Sequence, residues 1–383
     1  MFYQEIIKNN QAWIEQVFCQ LDEKLSRTAV KSRYKIPYTT VNGEHDDVSK
    51  IEISRWTNGF WGGLMWLMYS ATGKEDYLLT AKNSEKLLDG CFYEFDGLHH
   101  DVGFMWHLVS GASYRLTGDK DSRTRNLIAA MMLASRYNIK GEFIRAWSAP
   151  FGKESTEGWT IIDCLMNIPL LYWASRELGD DRFKYIAVKQ ADLSVRDHLR
   201  ADGTVNHIVV HDPKNAGVVL ETKGGQGYRV GSCWSRGQSW AVYGLTLSFI
   251  HTGDKKYLQA AKRAADVFIE QTQKTDWLPR SDFDQPAEPQ KWDSTAGAIA
   301  ACGMIEIAKN SDTEEEQEKY LSAAINILKA MNDKWCDWSK ECDSILQMGS
   351  EAYNYGEQKN IIYGDFFFTE AILKLKGSKF LIW

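Results

Sequence analysis

The sequence predicts an all-α protein, a closed (α/α)6 barrel of six inner and six outer helices, and three observations carry that reading. Six times a small polar or aromatic cluster opens an almost uncharged helical stretch. Most of these stretches stop at a shared glycine signal. A charged, amphipathic partner then begins, so that helical hairpins recur with units of roughly 45–70 residues.

The elements follow in order. The amphipathic segment from Tyr3 to about Leu21 supplies the first outer helix. The first inner stretch opens at Trp56-Thr57-Asn58 and stays apolar nearly all round through Gly73, as a helix buried on every side must. The next inner stretches open at His99-His100-Asp101, Ile161-Ile162-Asp163, Trp234-Ser235-Arg236, Trp292-Asp293-Ser294 and Tyr363-Gly364-Asp365. Stops fall at Ala71-Thr72-Gly73, Leu116-Thr117-Gly118, Leu178-Gly179-Asp180 and His251-Thr252-Gly253, where glycine supplies the left-handed residue that closes a helix. The partners EDYLLTAKNSEKLLDG, DSRTRNLIAAMMLASRY, DRFKYIAVKQADLSVRDHL, KKYLQAAKRAADVFIEQT and EEQEKYLSAAINILKAMND place apolar residues at helical spacing and charges elsewhere, so each has one wet face.

A chain of 383 residues exceeds the size at which single cores commonly stop growing, ~250–300 residues, but closed barrels are an exception. No Pro/Gly/Ser-rich linker or charge block divides it, so residues 1–383 are read as one barrel domain; a split, if there is one, falls between Thr204 and Gly231. The net charge of −6 argues against a nucleic-acid partner, which requires a basic stripe. The seven cysteines are scattered without CxxC or CxxH spacing and read as buried thiols. No leader pattern opens the sequence, and no run reaches the ~18 apolar residues of a membrane span, so a soluble, cytoplasmic protein is expected. With 15 Trp, 17 Tyr and 16 Phe the chain is rich in flat side chains, which suit the C–H faces of sugar rings, although most of the tryptophans are expected simply to fill the interior.

Because the inner helices run parallel, their six opening clusters gather at one mouth, the expected site. Asp101 and Asp163 both open inner helices there beside apolar neighbours, and two carboxylates across a cleft suit acid/base work on a glycoside. The competing reading for each is an N-cap, and Asp293 and Asp365, in the same repeat position, are read as caps. Adjacent histidines rarely chelate one ion together, and no spaced carboxylate or cysteine completes a set with His99-His100, so no metal is expected. His207 and His211 lie in a loop or short strand and titrate near neutrality if unperturbed, with a surface position the default for His211. Gln226 sits in the glycine-rich KGGQGYRVGS, and Arg236 places a guanidinium at the mouth, where it suits a carboxylate. That glycine-rich segment lacks nucleotide-loop spacing, and no cofactor is expected.

Taken together, RWTNGFWGGLMW, LHHDVGFMWHLVSG, WTIIDCLMNIPLLYWA, SCWSRGQSWAVYG, WDSTAGAIAACGM and YGDFFFTEAI resemble glycoside hydrolase family 88, the unsaturated glucuronyl hydrolases, over nearly the whole chain and in the same order. The resemblance implies an (α/α)6-barrel enzyme that removes a 4,5-unsaturated uronic acid from the non-reducing end of oligosaccharides left by polysaccharide lyases. It implies that Asp163 is the general acid/base and Asp101 a second essential carboxylate. His207, Gln226 and Arg236 are implied to line the uronate site, Trp56, Trp147 and Trp240 to stack on sugar, and His100 and Trp234, within the matched motifs, to bind substrate. His211 is the fallback for His207. Lys223, Arg229 and Lys359 are candidates for meeting a sulfate on the next sugar, against a plain solvated surface.

The partner expected is an unsaturated uronyl oligosaccharide of the chondroitin, hyaluronan or heparin class, handled by a monomer or homodimer. The nearest alternative is the related family 105, acting on unsaturated galacturonate of rhamnogalacturonan. A sugar 2-epimerase would use His100, His207 and His211 instead, and a non-catalytic sugar-binding barrel would keep the tryptophans without needing the acid.

Overall fold

The computed structural model describes residues 2–93 and 95–383. Outer and inner helices alternate along it: Phe2–Lys31 (α1), Gly59–Thr72 (α2), Glu75–Leu88 (α3), a π-helical stretch Gly103–Gly111 running into Ala112–Thr117 (α4), and Lys120–Ser135 (α5). Then come Cys164–Asn167 (α6) with Pro169–Leu178 (α7), Asp181–Leu193 (α8), Ser235–Thr252 (α9), Lys255–Gln273 (α10), Ser294–Lys309 (α11), Glu314–Trp335 (α12) and Ile362–Leu375 (α13). The inner helices close a ring: α2 packs on Gly103–Gly111, that stretch on α6 and α7, these on α9, α9 on α11, α11 on α13, and α13 back on α2. The (α/α)6 barrel is therefore as the pattern of uncharged and amphipathic helices requires.

Local chemistry explains the ends. Gly73, Gly118, Gly179 and Gly253 close their helices in the left-handed conformation. Each of the last three is followed by or adjoins an aspartate that caps the next outer helix: Asp119 accepts from Asp121 N and Ser122 N, Asp180 from Arg182 N, and Asp254 from Lys256 N. Helix α1 runs on to Lys31, beyond the expected end near Leu21, because Leu25 and Ala29 continue the buried stripe of Val17 and Leu21 and no helix breaker precedes Pro37. The third inner unit is divided at Ile168, since Pro169 has no N–H to give and starts α7 instead.

Two of the opening aspartates differ. Asp293 caps α11 through Thr295 N, as expected. Asp365 is not a cap: α13 already starts at Ile362, and the carboxylate accepts from Ile345 N at 3.0 Å and Leu346 N at 2.7 Å, pinning a loop to the helix. The cysteines are also not uniformly buried, for Cys19 lies on the outward face of α1 and is exposed, while Cys336 and Cys342 are half-buried.

Trp61, Trp66, Trp106 and Trp240 are wholly buried. Close approach of the first three inner units depends on glycine, because a Cβ on Gly59 would lie 2.0 Å from Phe104 O and one on Gly103 would lie 2.7 Å from Asn167. Over the mouth lies a three-stranded antiparallel sheet of Trp159–Ile161, Ile208–His211 and Val219–Lys223. Among the described residues no helix is long and apolar enough to cross a membrane.

Candidate active site

A cavity of about 330 Å³ opens at the end of the barrel where the inner helices begin. Its wall takes Trp56 from the start of the first inner unit, Asp96 to Asp101 from the start of the second, and Ile161 and Asp163 from the start of the third. Loops add Trp147 to Pro150, His207 and Gln226.

Asp163 directly precedes α6 but makes no capping bond, and its Oδ1 is buried without a hydrogen-bond partner. The N-cap reading therefore fails for it. Burial pushes its carboxyl up to about 7, against the pull of the Arg236 charge. His207 faces it, with Nε2 3.9 Å from Asp163 Oδ1. Gln226 N donates to His207 Nδ1 at 3.0 Å, which leaves the ring proton on Nε2, toward the carboxyl. Burial and the Arg236 charge depress His207 to about 3, so the ring is neutral.

Asp101 is held from several sides. Asn167 Nδ2 donates to its Oδ1 at 2.7 Å, His100 Nε2 lies 3.5 Å from the same oxygen, and His99 Nδ1 lies 3.3 Å from Oδ2. Burial and the charge of Asp163 raise its carboxyl well above the usual range. Burial pushes His99 down to about 4 and His100 well below its ordinary value, so both rings are neutral donors or acceptors. Asn167 also accepts from Phe104 N at 2.8 Å and donates to Asp163 O at 3.2 Å, tying the two carboxyl-bearing segments together.

His99, His100 and Asp101 together offer three metal-type donors whose ligand atoms lie within 4.8 Å of one another. A carboxylate thus does adjoin the histidine pair, contrary to the reading from spacing. His99 Nδ1 and His100 Nε2 lie 3.3 and 3.5 Å from the two Asp101 oxygens, so the three groups already face one another within the cluster.

Of the residues expected at the site, Trp56, His100, Asp101, Trp147, Asp163, His207 and Gln226 line the cavity. Trp234, Arg236 and Trp240 do not. Trp240 is wholly buried, with its ring 5.4 Å from Phe104 and 5.6 Å from Phe367, so it fills the core. Trp234 is 2 % exposed and packs behind His207, ring centroids 4.3 Å apart. Arg236 is buried beneath Trp234 and spent on other partners: its Nη1 bonds Asp293 Oδ2 at 2.8 Å, and the guanidinium also donates to Ser350 O and Glu351 O. A buried cation needs such pairing, and here Asp293 supplies it. Arg236 acts on Asp163 through its field, without reaching the cavity.

His211 is neither a surface residue nor part of the site. It is 1 % exposed and its Nε2 lies 2.9 Å from Asp197 Oδ2, so the three-histidine arrangement of an epimerase is not assembled. Lys223 is paired with Glu154 and Glu221, and Lys359 with Glu351. Sequence reasoning missed Asn167, His99 and the segments Asp96 to Leu98 and Ser148 to Pro150. Asn167 had a signal, a lone amide one helical turn after Asp163 in an otherwise apolar stretch.

The family model Glycosyl Hydrolase Family 88 matches residues 29–250. The unsaturated glucuronyl hydrolase of Bacillus sp. (strain GL1) is 35% identical over 333 residues, 84% of this chain and 86% of that protein. The unsaturated chondroitin disaccharide hydrolase of Streptococcus pneumoniae is 31% identical over 376 residues, 97% of this chain and 92% of that protein. The crystal structure of unsaturated glucuronyl hydrolase from Bacillus sp. GL1 superposes with a TM-score of 0.87 at 31% identity, covering 94% of this chain and 96% of that one. With its barrel and its paired aspartates in place, this chain belongs to glycosyl hydrolase family 88.

Proposed function

We propose that this protein is an unsaturated glucuronyl hydrolase, which releases 4,5-unsaturated uronic acid from the non-reducing end of glycosaminoglycan-type oligosaccharides, with Asp163 as the proton donor. The observation that carries the reading is a carboxyl with an unpartnered oxygen, kept protonated toward neutrality by burial, in a cavity walled by Trp56 and Trp147. The names of the relatives, which include chondroitin disaccharide hydrolases, point to the same substrate class.

The C4=C5 bond of such a uronate is an enol ether, electron-rich at C4. Asp163 gives its proton to C4, and the positive charge left at C5 is shared with the ring oxygen. Water adds at C5 and passes its proton to the Asp163 carboxylate, restoring the acid. The hemiketal so formed opens and the anomeric substituent leaves by rearrangement. Every transferred atom comes from substrate, water or Asp163, so the sequence of steps calls for no cofactor. Asp101, oriented by Asn167 and His100, serves as the second carboxyl, holding substrate hydroxyls. His207 and Gln226 line the uronate end, while Trp56 and Trp147 offer apolar faces to the rings.

We further propose that the chain is one catalytic unit, cytoplasmic, acting as a monomer or homodimer. A single hydrophobic cluster that includes Ile14 and Trp383 supports one unit, and the exposed Cys19 thiol suits a reducing compartment.

The test is the ultraviolet absorbance of the conjugated enol-ether acid, followed over time with lyase-generated disaccharides of chondroitin, hyaluronan and heparin and with an unsaturated rhamnogalacturonan disaccharide. Loss of signal on the glycosaminoglycan members is expected. Loss on the pectic member alone moves the assignment to the related family, and loss on none overturns it.

A further inference from the structure

Beside the cavity stands an aromatic ring that neither its lining nor the proton transfer uses. Phe151 is 59 % exposed and follows directly on the lining residues Ser148, Ala149 and Pro150. Its ring centroid lies 5.7 Å from that of Trp147, with 33° between the planes, and 5.7 Å from that of Trp159, which is buried behind it. An exposed phenyl face gains free energy from being covered.

The ring is also held in place. Phe151 and Glu154 exchange backbone hydrogen bonds, both at 3.0 Å, which closes a tight hairpin. Glu154 pairs with Lys223 at 2.9 Å, Lys223 pairs again with Glu221 at 3.0 Å, and its Nζ sits 5.4 Å from the Trp159 ring centroid. The hairpin is thereby tied to the strand Val219–Lys223 of the mouth sheet. A fixed flat face costs a ligand little ordering entropy on the protein side.

Cavity size says what reaches it. About 330 Å³ is at the small end of ligand sites, ~300–1,000 Å³, and suits a ligand of disaccharide size. Any further sugar lies outside the lining, and Phe151, next in the chain after Pro150 and packed against Trp147, extends the wall past it.

Resting on the glucuronyl-hydrolase reading, we propose that Phe151 is a stacking platform for a third pyranose, two residues along from the released uronate, so that the protein favours oligosaccharides longer than a disaccharide. The occupant is a sugar ring presenting its C–H face, and the charge of that sugar's substituents is immaterial to the contact.

The experiment compares kcat/KM for an unsaturated disaccharide and an unsaturated tetrasaccharide cut from the same unsulfated polymer, in the wild type and in Phe151→Ala and Phe151→Trp. The wild type is expected to favour the tetrasaccharide, chiefly through KM. Phe151→Ala is expected to reduce the tetrasaccharide-to-disaccharide ratio roughly three- to tenfold, and Phe151→Trp to keep it. An unchanged ratio in Phe151→Ala, including one in which both substrates suffer equally, overturns the proposal, because a merely structural role moves both alike. Calorimetric binding of the same two ligands to Asp163→Asn, with and without Phe151→Ala, gives the ratio without turnover. If no substrate is turned over yet the binding ratio falls with Phe151→Ala, the hydrolase reading fails and the platform stands; if neither ratio moves, the platform fails.

Discussion

Asn167 Nδ2 donates to Asp101 Oδ1 at 2.7 Å, so a fully buried amide at the end of α6 sets the carboxyl that opens the neighbouring inner unit. The same amide takes the Phe104 N–H and reaches back to Asp163 O. One side chain therefore fixes the spacing of both carboxyl-bearing segments, and its loss is felt twice. Asn167→Ala is expected to destabilise the fold by about 1–3 kcal/mol, the cost of leaving a buried N–H and a buried carboxyl oxygen unpaired. It is also expected to lower kcat/KM on the unsaturated disaccharide. Thermal melts and steady-state kinetics on the one variant check both.

Asp163→Asn removes the transferable proton while keeping the shape of the side chain. Turnover is expected to fall by at least ~10²–10⁴-fold, the usual contribution of a positioned acid, with substrate binding retained. The ultraviolet assay measures the first and titration calorimetry the second. Near-normal turnover would remove Asp163 from the mechanism.

Activity is expected to decline as pH rises through about 7. Asp163 acts in its protonated form, and burial holds its carboxyl up to about 7, so the active fraction falls tenfold per pH unit above that point. A profile of kcat/KM against pH locates the limb. A limb near the ordinary carboxylate range would mean that another group supplies the proton.

Stability carries the same signature with a definite sign. A carboxyl whose folded pKa is raised binds its proton more tightly in the native state than in the unfolded chain, so native stability is lost as pH climbs from about 4 to about 7. A shift from 3.8 to about 7 corresponds to an upper bound of about 4 kcal/mol. Asp163→Asn escapes that loss. Its melting temperature is expected to exceed the wild type's at about pH 8 by more than it does at about pH 5, and a gap independent of pH would show that the carboxyl is not buried in its charged form.

Trp147 and Trp240 are expected to separate cleanly. Trp147 lines the cavity and is half-buried, so Trp147→Ala raises KM with little change in melting temperature. Trp240 is buried among Phe104 and Phe367, so Trp240→Ala costs about 3–5 kcal/mol of stability through the cavity it leaves. Denaturant melts and KM values of the two variants, side by side, decide the assignment.

Much of the fold was legible because helices are written in local chemistry. Uncharged runs, amphipathic partners and glycine stops all act within a few residues, and each appears where its spacing puts it. Parallel inner helices then bring Trp56, Asp101 and Asp163 to one mouth without further information.

By itself, then, the sequence determined the barrel, the end of it where the cavity opens, and the two carboxyls that face that cavity. Tertiary structure alone decided which side chains of the same motifs reach that cavity. The inner helices are apolar on nearly every face, so no periodicity distinguishes the side of α9 that bears Trp240 from a side that meets solvent. Asn167 and Asp101 are 66 residues apart, and Arg236 and Asp293 are 57 apart. Such pairs form only when the ring closes, because a buried charge or amide takes whichever partner the packed neighbours bring, and that partner is set by three-dimensional contact rather than by spacing along the chain.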